Sequence, residues 1–358
     1  MSFHVSREPF EKLRPSWDSI LSSSRNDSLY LSEIWISSWL ENIKDFGEEY
    51  FITVRKGKEL FGIAPLVLVK RKFFCSEFQI VGQKYSYELG FIARKDYEKE
   101  VYGLLFQFIF TKMKEGRYIL NFSHMKNDQY FETELNYVLK HSRMSVVRDL
   151  KEPVFQLSLP GSFESYISES ISSGLFRRNL RKDIRIALRK KNIFFLTPTV
   201  SEVRFFLDTL FKLHLNDFAC REKYSYLFQE AVRKHYFQVA HEYSKKEDLK
   251  FALMKSDDES TTSIMMGVNY KKTFHAIIMG IDRNIRKRSE GINFRNVLHA
   301  ISLKNVIETG IERYELGAYG LYKFKLGAVE VGGHALKIFC SEVHLKWVKL
   351  LERIRRLV

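Results

Sequence analysis

Two lysines, Lys323 and Lys325, stand among aromatics and glycines in the stretch LGAYGLYKFKLGA, residues 316–328. The segment just before it, RYELG, alternates like a buried strand. Cations placed where a strand ends can hold negative charge, and side chains of unusual chemistry at such ends are frequent sites. Earlier in the chain, RKRSEGIN, residues 286–293, sets Gly291 between a basic run and the start of an apolar helix. A glycine turn opening a helix presents unpaired backbone N–H groups and the positive end of the helix dipole, which together suit a phosphate. Arg286 and Arg288 would neutralise that phosphate, while Ser289, Gly291, Ile292 and Asn293 would form the turn around it. A third set lies in FRRNLRKDIRIALRKK, residues 176–191. There Arg177, Arg181 and Arg185 run beside an apolar line of Phe176, Leu180, Ile184 and Leu188, so a row of guanidiniums could grip phosphate or carboxylate. Each set also has a plainer reading: lysines flanking a glycine turn, a solvated loop and a solvated helix face.

Holding such residues requires strands and helices, and the hydrophobic periodicity supplies them. In the first half, helical spacing of Leu31, Ile34, Trp35 and Trp39 follows the cap Ser32. Strands are expected at EYFITVRKG, ELFGIAPLVLVKRK, FQIVGQ and YELGFIA, then a helix from about Asp96 to Lys114 and a strand at RYILNFSH. The second half repeats that order, with strands at LKFALMKS, TSIMMGVNY and HAIIMGID, a helix from about Asn293 to Thr309, and a strand at RYELGAY. The repetition reads as a degenerate duplication. It implies an α/β (α+β) chain of two tandem domains with mixed central sheets flanked by helices. The expected domains are 1–150 and 151–358, the second ending in a basic helix, HLKWVKLLERIRRLV, with Trp347, Leu350, Leu351, Ile354 and Leu357 on one side. Only the second half has the glycine turn before its long helix.

Composition narrows the classes. The 358 residues exceed one ordinary core, and 45% hydrophobic content supports two. Three cysteines, Cys75, Cys220 and Cys340, are far apart and lack paired spacing, which argues for reduced thiols. No Cys/His cluster has metal spacing, so no metal is expected. The longest apolar run is short, around IAPLVLV, and MSFHVSREPFEK has no apolar core of a secretory signal, so a cytoplasmic protein is expected. The net charge of +15 admits nucleic acid, an anionic membrane, an acidic carrier protein or a polyphosphate ligand.

Arg288-Ser289-Glu290-Gly291-Ile292-Asn293 fits the R-x-x-G-x-G/A signature of the GCN-five-related N-acetyltransferases (GNATs), with Asn293 replacing the last small residue. In the same order follow VFQLSLPGSFESYISESISSGLFRRNLRKDIRIALRKK, FFLDTLFKLHLNDFACREKYS, the core strands, the glycine loop and a terminal K-x-x-L-G motif at Lys323-Phe324-Lys325-Leu326-Gly327. Over residues 30–335 the chain resembles the CelD/BcsL-like acetyltransferases of cellulose and exopolysaccharide biosynthesis, and more distantly the FemABX aminoacyltransferases.

The resemblance implies two GNAT-like acyl-CoA N-acyltransferase domains, with acetyl-CoA or another acyl-CoA as co-substrate bound by the 286–293 loop. It implies transfer to an amine on a sugar or other cell-envelope precursor, small or lipid-linked. Lys323 would stabilise the oxyanion formed as an amine attacks a thioester, and Glu315 would accept the ammonium proton. Tyr322, Lys325 and the three arginines would contact substrate. Asp282 and His214 are lesser candidates for the base. An acyl carrier protein or an anionic inner-membrane surface are further expected partners of the basic patches. The FemABX alternative replaces acyl-CoA with aminoacyl-tRNA, for which the positive charge is suited. A non-catalytic basic module on the same fold is the third reading.

Overall fold

The computed structural model describes residues 2–43, 47–70, 75–149, 153–189, 192–256, 259–282, 292–318 and 320–355. In chain order the first stretch forms β1 (Phe3–Arg7), α1 (Phe10–Ser22), α2 (Glu33–Asn42), β2 (Glu48–Lys56), β3 (Glu59–Val69), β4 (Glu77–Ile80) and β5 (Ile92–Ala93). It continues as α3 (Glu98–Gly116), β6 (Ile119–Lys126), α4 (Gln129–Lys140) and β7 (Ser145–Asp149). The second stretch forms β8 (Val154–Ser158), α5 (Gly174–Arg189), β9 (Ile193–Leu196), α6 (Val203–Ala219), α7 (Glu230–Lys245), β10 (Leu249–Lys255), β11 (Thr261–Tyr270) and β12 (Thr273–Ile281). After it come α8 (Phe294–Glu308), β13 (Arg313–Ala318), α9 (Tyr322–Lys325) and β14 (Val329–Val331); β15 (Gly333–Phe339) and α10 (Glu342–Arg355) end the chain.

Two compact units result, Met1–Pro153 with Gly332–Val358, and Val154–Val331. The first unit's sheet runs β1-β2-β3-β4-β6-β15-β7, with β5 beside β3; the second's runs β14-β8-β13-β12-β11-β10-β9. Among the described strands each contains one parallel pair, β4 with β6 and β12 with β13, with α3 and α8 lying in the respective connections. The repeated order of three strands, helix and parallel strand is therefore topologically the same in both units. A helix crossover is what parallel neighbours require.

The expected second domain, 151–358, needs one correction. β15 pairs antiparallel with both β6 and β7, so residues 332–358 belong to the first unit. Alternation in GHALKIF fits a strand, but sequence pattern does not say which sheet receives it. The terminal helix follows: α10 packs Leu345 and Val348 against Ile119 and Phe339, leaving Val343, Trp347 and Leu350 exposed. The side expected to be apolar is thus partly the solvent side.

In the second unit, α8 is buried along nearly its whole length, as its all-round apolar sequence requires. α5 lies beside it and buries Leu180, Ile184 and Ala187. Its Leu188, expected on that line, is exposed, because 3.6 residues per turn carries the buried stripe to Ala187 instead. On the other side α6 crosses β12 at Gly280, where a Cβ would sit 2.7 Å from the Leu210 carbonyl oxygen.

Candidate functional site

The second unit's parallel pair opens partway along. β12 and β13 are in register only at Thr273–Arg313, Phe274–Tyr314 and His275–Glu315. Beyond that point β12 runs on to Ile281 beside β11, and β13 runs on to Ala318. Two irregularities at this level explain the parting. The β11–β12 ladder shifts register between Met266 and Gly267, and the β13–β8 ladder shifts between Glu315 and Ala318. Bulges bend and twist a strand, so bending both neighbours opens a fork between them. Gly267 is needed at the first bulge, since a Cβ there would meet the Phe274 ring at 2.0 Å. A fork of this kind leaves strand N–H and C=O groups for something other than a neighbouring strand.

His275 and Glu315 close the base of the fork. Their side chains pair at 2.6 Å (His275 Nδ1 to Glu315 Oε2) and are 3% and 1% exposed. Alternation along β13 sends Tyr314 into the core beneath α8 and Glu315 to the opposite face. The carboxylate predicted from RYELG is thus present on its strand, but it meets His275, a residue that sequence reading passed over. Arg313, two residues earlier on the same strand, donates to Thr273 Oγ1 at 3.1 Å. A histidine and a glutamate opposite each other on parallel strands become visible only once the register is known.

Lys323 sits at the far end of β13. Tyr322–Lys325 is a single helical turn within the glycine-flanked stretch. The Lys323 amine points inward and donates to the carbonyl oxygens of Gly317 at 2.9 Å and Ala318 at 2.7 Å, at the irregular end of β13. It lies 5.2 Å from the centre of the Phe155 ring and is 2% exposed. Burial, helped by the Arg295 guanidinium and opposed by Glu315, lowers its pKa to about 7. A cation available at all times is therefore replaced by an amine that gains or loses its proton near neutral pH. Lys325, two residues on, faces outward and is exposed.

Tyr322 stacks on His299 with ring centres 5.9 Å apart, and its hydroxyl lies 3.4 Å from His299 Nε2. His299 Nδ1 contacts the Tyr314 hydroxyl at 3.0 Å, and full burial pushes this imidazole down to about 3, so it stays neutral. Arg295 lies 4.8 Å over the Tyr322 ring. Beside Tyr322 a cavity of about 420 Å³ opens between α5, α8 and α9, with Asp183, Asn293, Asn296 and Lys325 in its wall. Asn293 caps α8 through Oδ1, which accepts the Asn296 N–H at 3.3 Å. Its own N–H donates to Asp183 Oδ2 at 3.2 Å.

Of the loop expected to bind phosphate, Arg286, Arg288, Ser289 and Gly291 lie outside the described residues. Ile292 is buried in the core with Phe294. The arginine row is divided. Arg177 donates to the Ser168 carbonyl oxygen at 2.7 Å, Arg181 pairs with Glu164 at 3.1 Å, and Arg185 lines a second groove of about 480 Å³ with Arg181 and Arg189. His214 is held in place rather than poised for proton transfer: Nδ1 donates to the Met279 carbonyl oxygen at 2.8 Å, Nε2 accepts from Ser225 at 2.9 Å, and burial lowers its pKa. Asp282 follows the end of β12, its N–H donating to the Thr262 carbonyl oxygen. Among the described residues no group of three or more His, Cys, Asp or Glu could hold a metal ion. No described helix is long and apolar enough to cross a membrane.

Comparison with known proteins places a name on this region. Residues 175–326, spanning α5 to α9, match the family model described as an acetyltransferase (GNAT) domain. No curated protein matches the chain. Among solved structures, FemX superposes with a TM-score of 0.62 at 12% identity, covering 93% of this chain and 96% of its own. The C-terminal domain of a putative lysylphosphatidylglycerol synthetase from Agrobacterium fabrum gives 0.57 at 10% identity, covering 96% of each chain. L-PGS from Bacillus licheniformis gives 0.53 at 12% identity, covering 97% of each. At such identities the likeness shows the fold, which extends over both units. The match to the GNAT model takes in the segment that carries the fork, Lys323 and Tyr322.

Proposed function

We propose that this chain is an N-acyltransferase that moves an acyl group from acyl-CoA, with acetyl the first candidate, to an amine on a sugar or other cell-envelope precursor, as in CelD/BcsL-like acetyltransferases. One observation carries the reading: within the GNAT-matched segment, two bulged strands part, and a buried amine with a pKa near neutrality stands at the end of one of them.

The chemistry balances without a covalent enzyme intermediate. The acceptor nitrogen attacks the thioester carbon, forming the C–N bond and an oxyanion. Backbone N–H groups of the fork would hold that oxygen. Collapse breaks the C–S bond, and the thiolate leaves as CoA. Before it attacks, the acceptor ammonium gives one proton to Lys323, which is partly unprotonated at neutral pH, and the second proton the nitrogen loses on collapse goes to the departing thiolate, so that CoA is released as the thiol. This role for Lys323 replaces the permanent cation expected from sequence. Glu315 supports the role indirectly, since its negative charge raises the lysine's pKa against the effect of burial. The donor's pyrophosphate falls to the arginines and Gly291 of residues 283–291.

A second reading, transfer from aminoacyl-tRNA, is favoured by a separate observation. Asp183 already occupies the N-terminus of α8, so a phosphate placed there would meet a carboxylate. The likeness to FemX over 93% of the chain supports the same fold without choosing the donor.

Thermal unfolding with acetyl-CoA against uncharged and aminoacylated tRNA separates the two. A ligand at a hundred times its Kd stabilises by about 2.7 kcal/mol, enough to move the midpoint by several degrees. Acetyl-CoA is expected to produce that shift and tRNA is not. A shift with aminoacyl-tRNA alone would replace the first reading by the second.

A further inference from the structure

Three features of the cavity between α5, α8 and α9 are unused by the transfer step above. The first is Asn296. It is 8% exposed and lines the cavity. A carboxamide in a cavity wall can both donate to and accept from a ligand placed there. The second is Asp183, whose carboxylate sits at the N-terminus of α8 and spends only one acceptor position on the Asn293 N–H. A helix N-terminus ordinarily draws an anion; here a fixed carboxylate already stands there, and its remaining lone pairs favour a positive or hydroxyl-bearing group. The third is a pair of cations, Lys182 and Lys325, both exposed on the same cavity and neither ion-paired among the described residues.

We infer that this cavity binds the acceptor, and that the acceptor is zwitterionic, carrying its amine and an acidic group on one small framework. The name acceptor rests on the transferase reading; the binding does not. Asp183 takes the ammonium, Lys182 and Lys325 take the carboxylate or phosphate, and Asn296 takes a neighbouring hydroxyl or amide. Tyr322 and Phe176 supply flat apolar walls against which a sugar ring or short carbon chain can lie. A volume of about 420 Å³ admits a single amino sugar or amino acid and not a polymer. A neutral sugar would leave the charges of both signs unanswered, and a simple dianion would oppose Asp183.

The test is calorimetric titration of the full chain with no acyl donor present. The probes are glucosamine 6-phosphate, glucosamine, glucose 6-phosphate and adenosine 3′,5′-bisphosphate, the last representing the phosphate end of CoA. Glucosamine 6-phosphate is expected to bind about tenfold or more tighter than either glucosamine or glucose 6-phosphate, as expected when two charged groups are engaged together. Asp183→Asn should remove its preference over glucose 6-phosphate, and Asn296→Leu should weaken it about tenfold. Lys325→Met changes an exposed side chain, endangers folding little, and should remove the preference over glucosamine. Equal binding of all three sugars overturns the inference, as does absence of binding at millimolar concentration. Tighter binding of the adenosine bisphosphate, strengthened further by Asp183→Asn, would make this the donor's phosphate site. Because no donor is present, failure of acyl transfer elsewhere leaves these outcomes unaffected.

Discussion

Replacing Lys323 by Met is expected to lower the acyl-transfer rate constant about a hundredfold or more while leaving donor affinity nearly unchanged, the size usually associated with loss of a positioned proton acceptor. The sign of the pH dependence identifies the role. If Lys323 accepts a proton, kcat/KM in the wild type rises as pH climbs through about 7, where the buried amine becomes neutral. If it acts as a fixed cation, the rate falls over the same interval. The Met variant should lack either limb. Stability gives a readout independent of turnover. The folded lysine titrates near 7 and the unfolded one near its ordinary 10.5, so between those values the unfolded chain binds a proton that the folded chain does not. Stability therefore rises with pH across that interval in the wild type, and this slope should be absent from the Met variant. Lys325→Met, on the outward side of the same turn, should leave both the pH limb and the stability slope in place. An unchanged pH–rate profile in Lys323→Met would assign Lys323 to holding the Gly317 and Ala318 carbonyls alone.

The second large effect concerns the base of the fork. Glu315→Ala takes away the carboxylate that buried His275 faces, and a buried polar group deprived of its partner costs about 1–3 kcal/mol. Replacing both residues by Leu should recover most of that loss, because a buried polar pair exchanged for well-packed apolar groups is often near neutral. Urea unfolding of the two single variants and the double variant measures this directly. If Glu315→Ala changes the midpoint no more than a surface substitution does, His275 and Glu315 are not coupled in the fold. If the double variant is stable but inactive, the pair serves the reaction rather than the scaffold.

Much of this arrangement was legible from periodicity, and the parts that were not share a cause. The strands β2, β3, β10 and β11 and the helix α8 appear where alternation and helical spacing put them, because each has a strong local pattern. The repeated order of three strands, helix and strand was likewise readable, and the one parallel pair in each sheet follows from the helix between. What local pattern cannot show is pairing between distant segments. β15 was readable as a strand without indicating that it joins β6 and β7. His275 became a site residue only through its register with Glu315, and Asn296 only because α5 and α9 enclose it. Lys323 stands out in the sequence by its setting, yet its inward direction depends on the turn at 322–325, which four residues of glycine-flanked sequence do not specify. Asp183 shows the same limit: a surface acid within a basic helix in sequence, it reaches a helix start 110 residues away.

Acyl transfer at the β12–β13 fork is tested most directly by following thiol release from acetyl-CoA as small amines, including glucosamine 6-phosphate, are added to the wild-type chain and to Lys323→Met. Amine-dependent thiol release by the wild type, with an equimolar N-acetylated product and about a hundredfold loss in the variant, is the expected result. Equal rates in the two proteins, or amine-dependent consumption of aminoacyl-tRNA with none of acetyl-CoA, would contradict it.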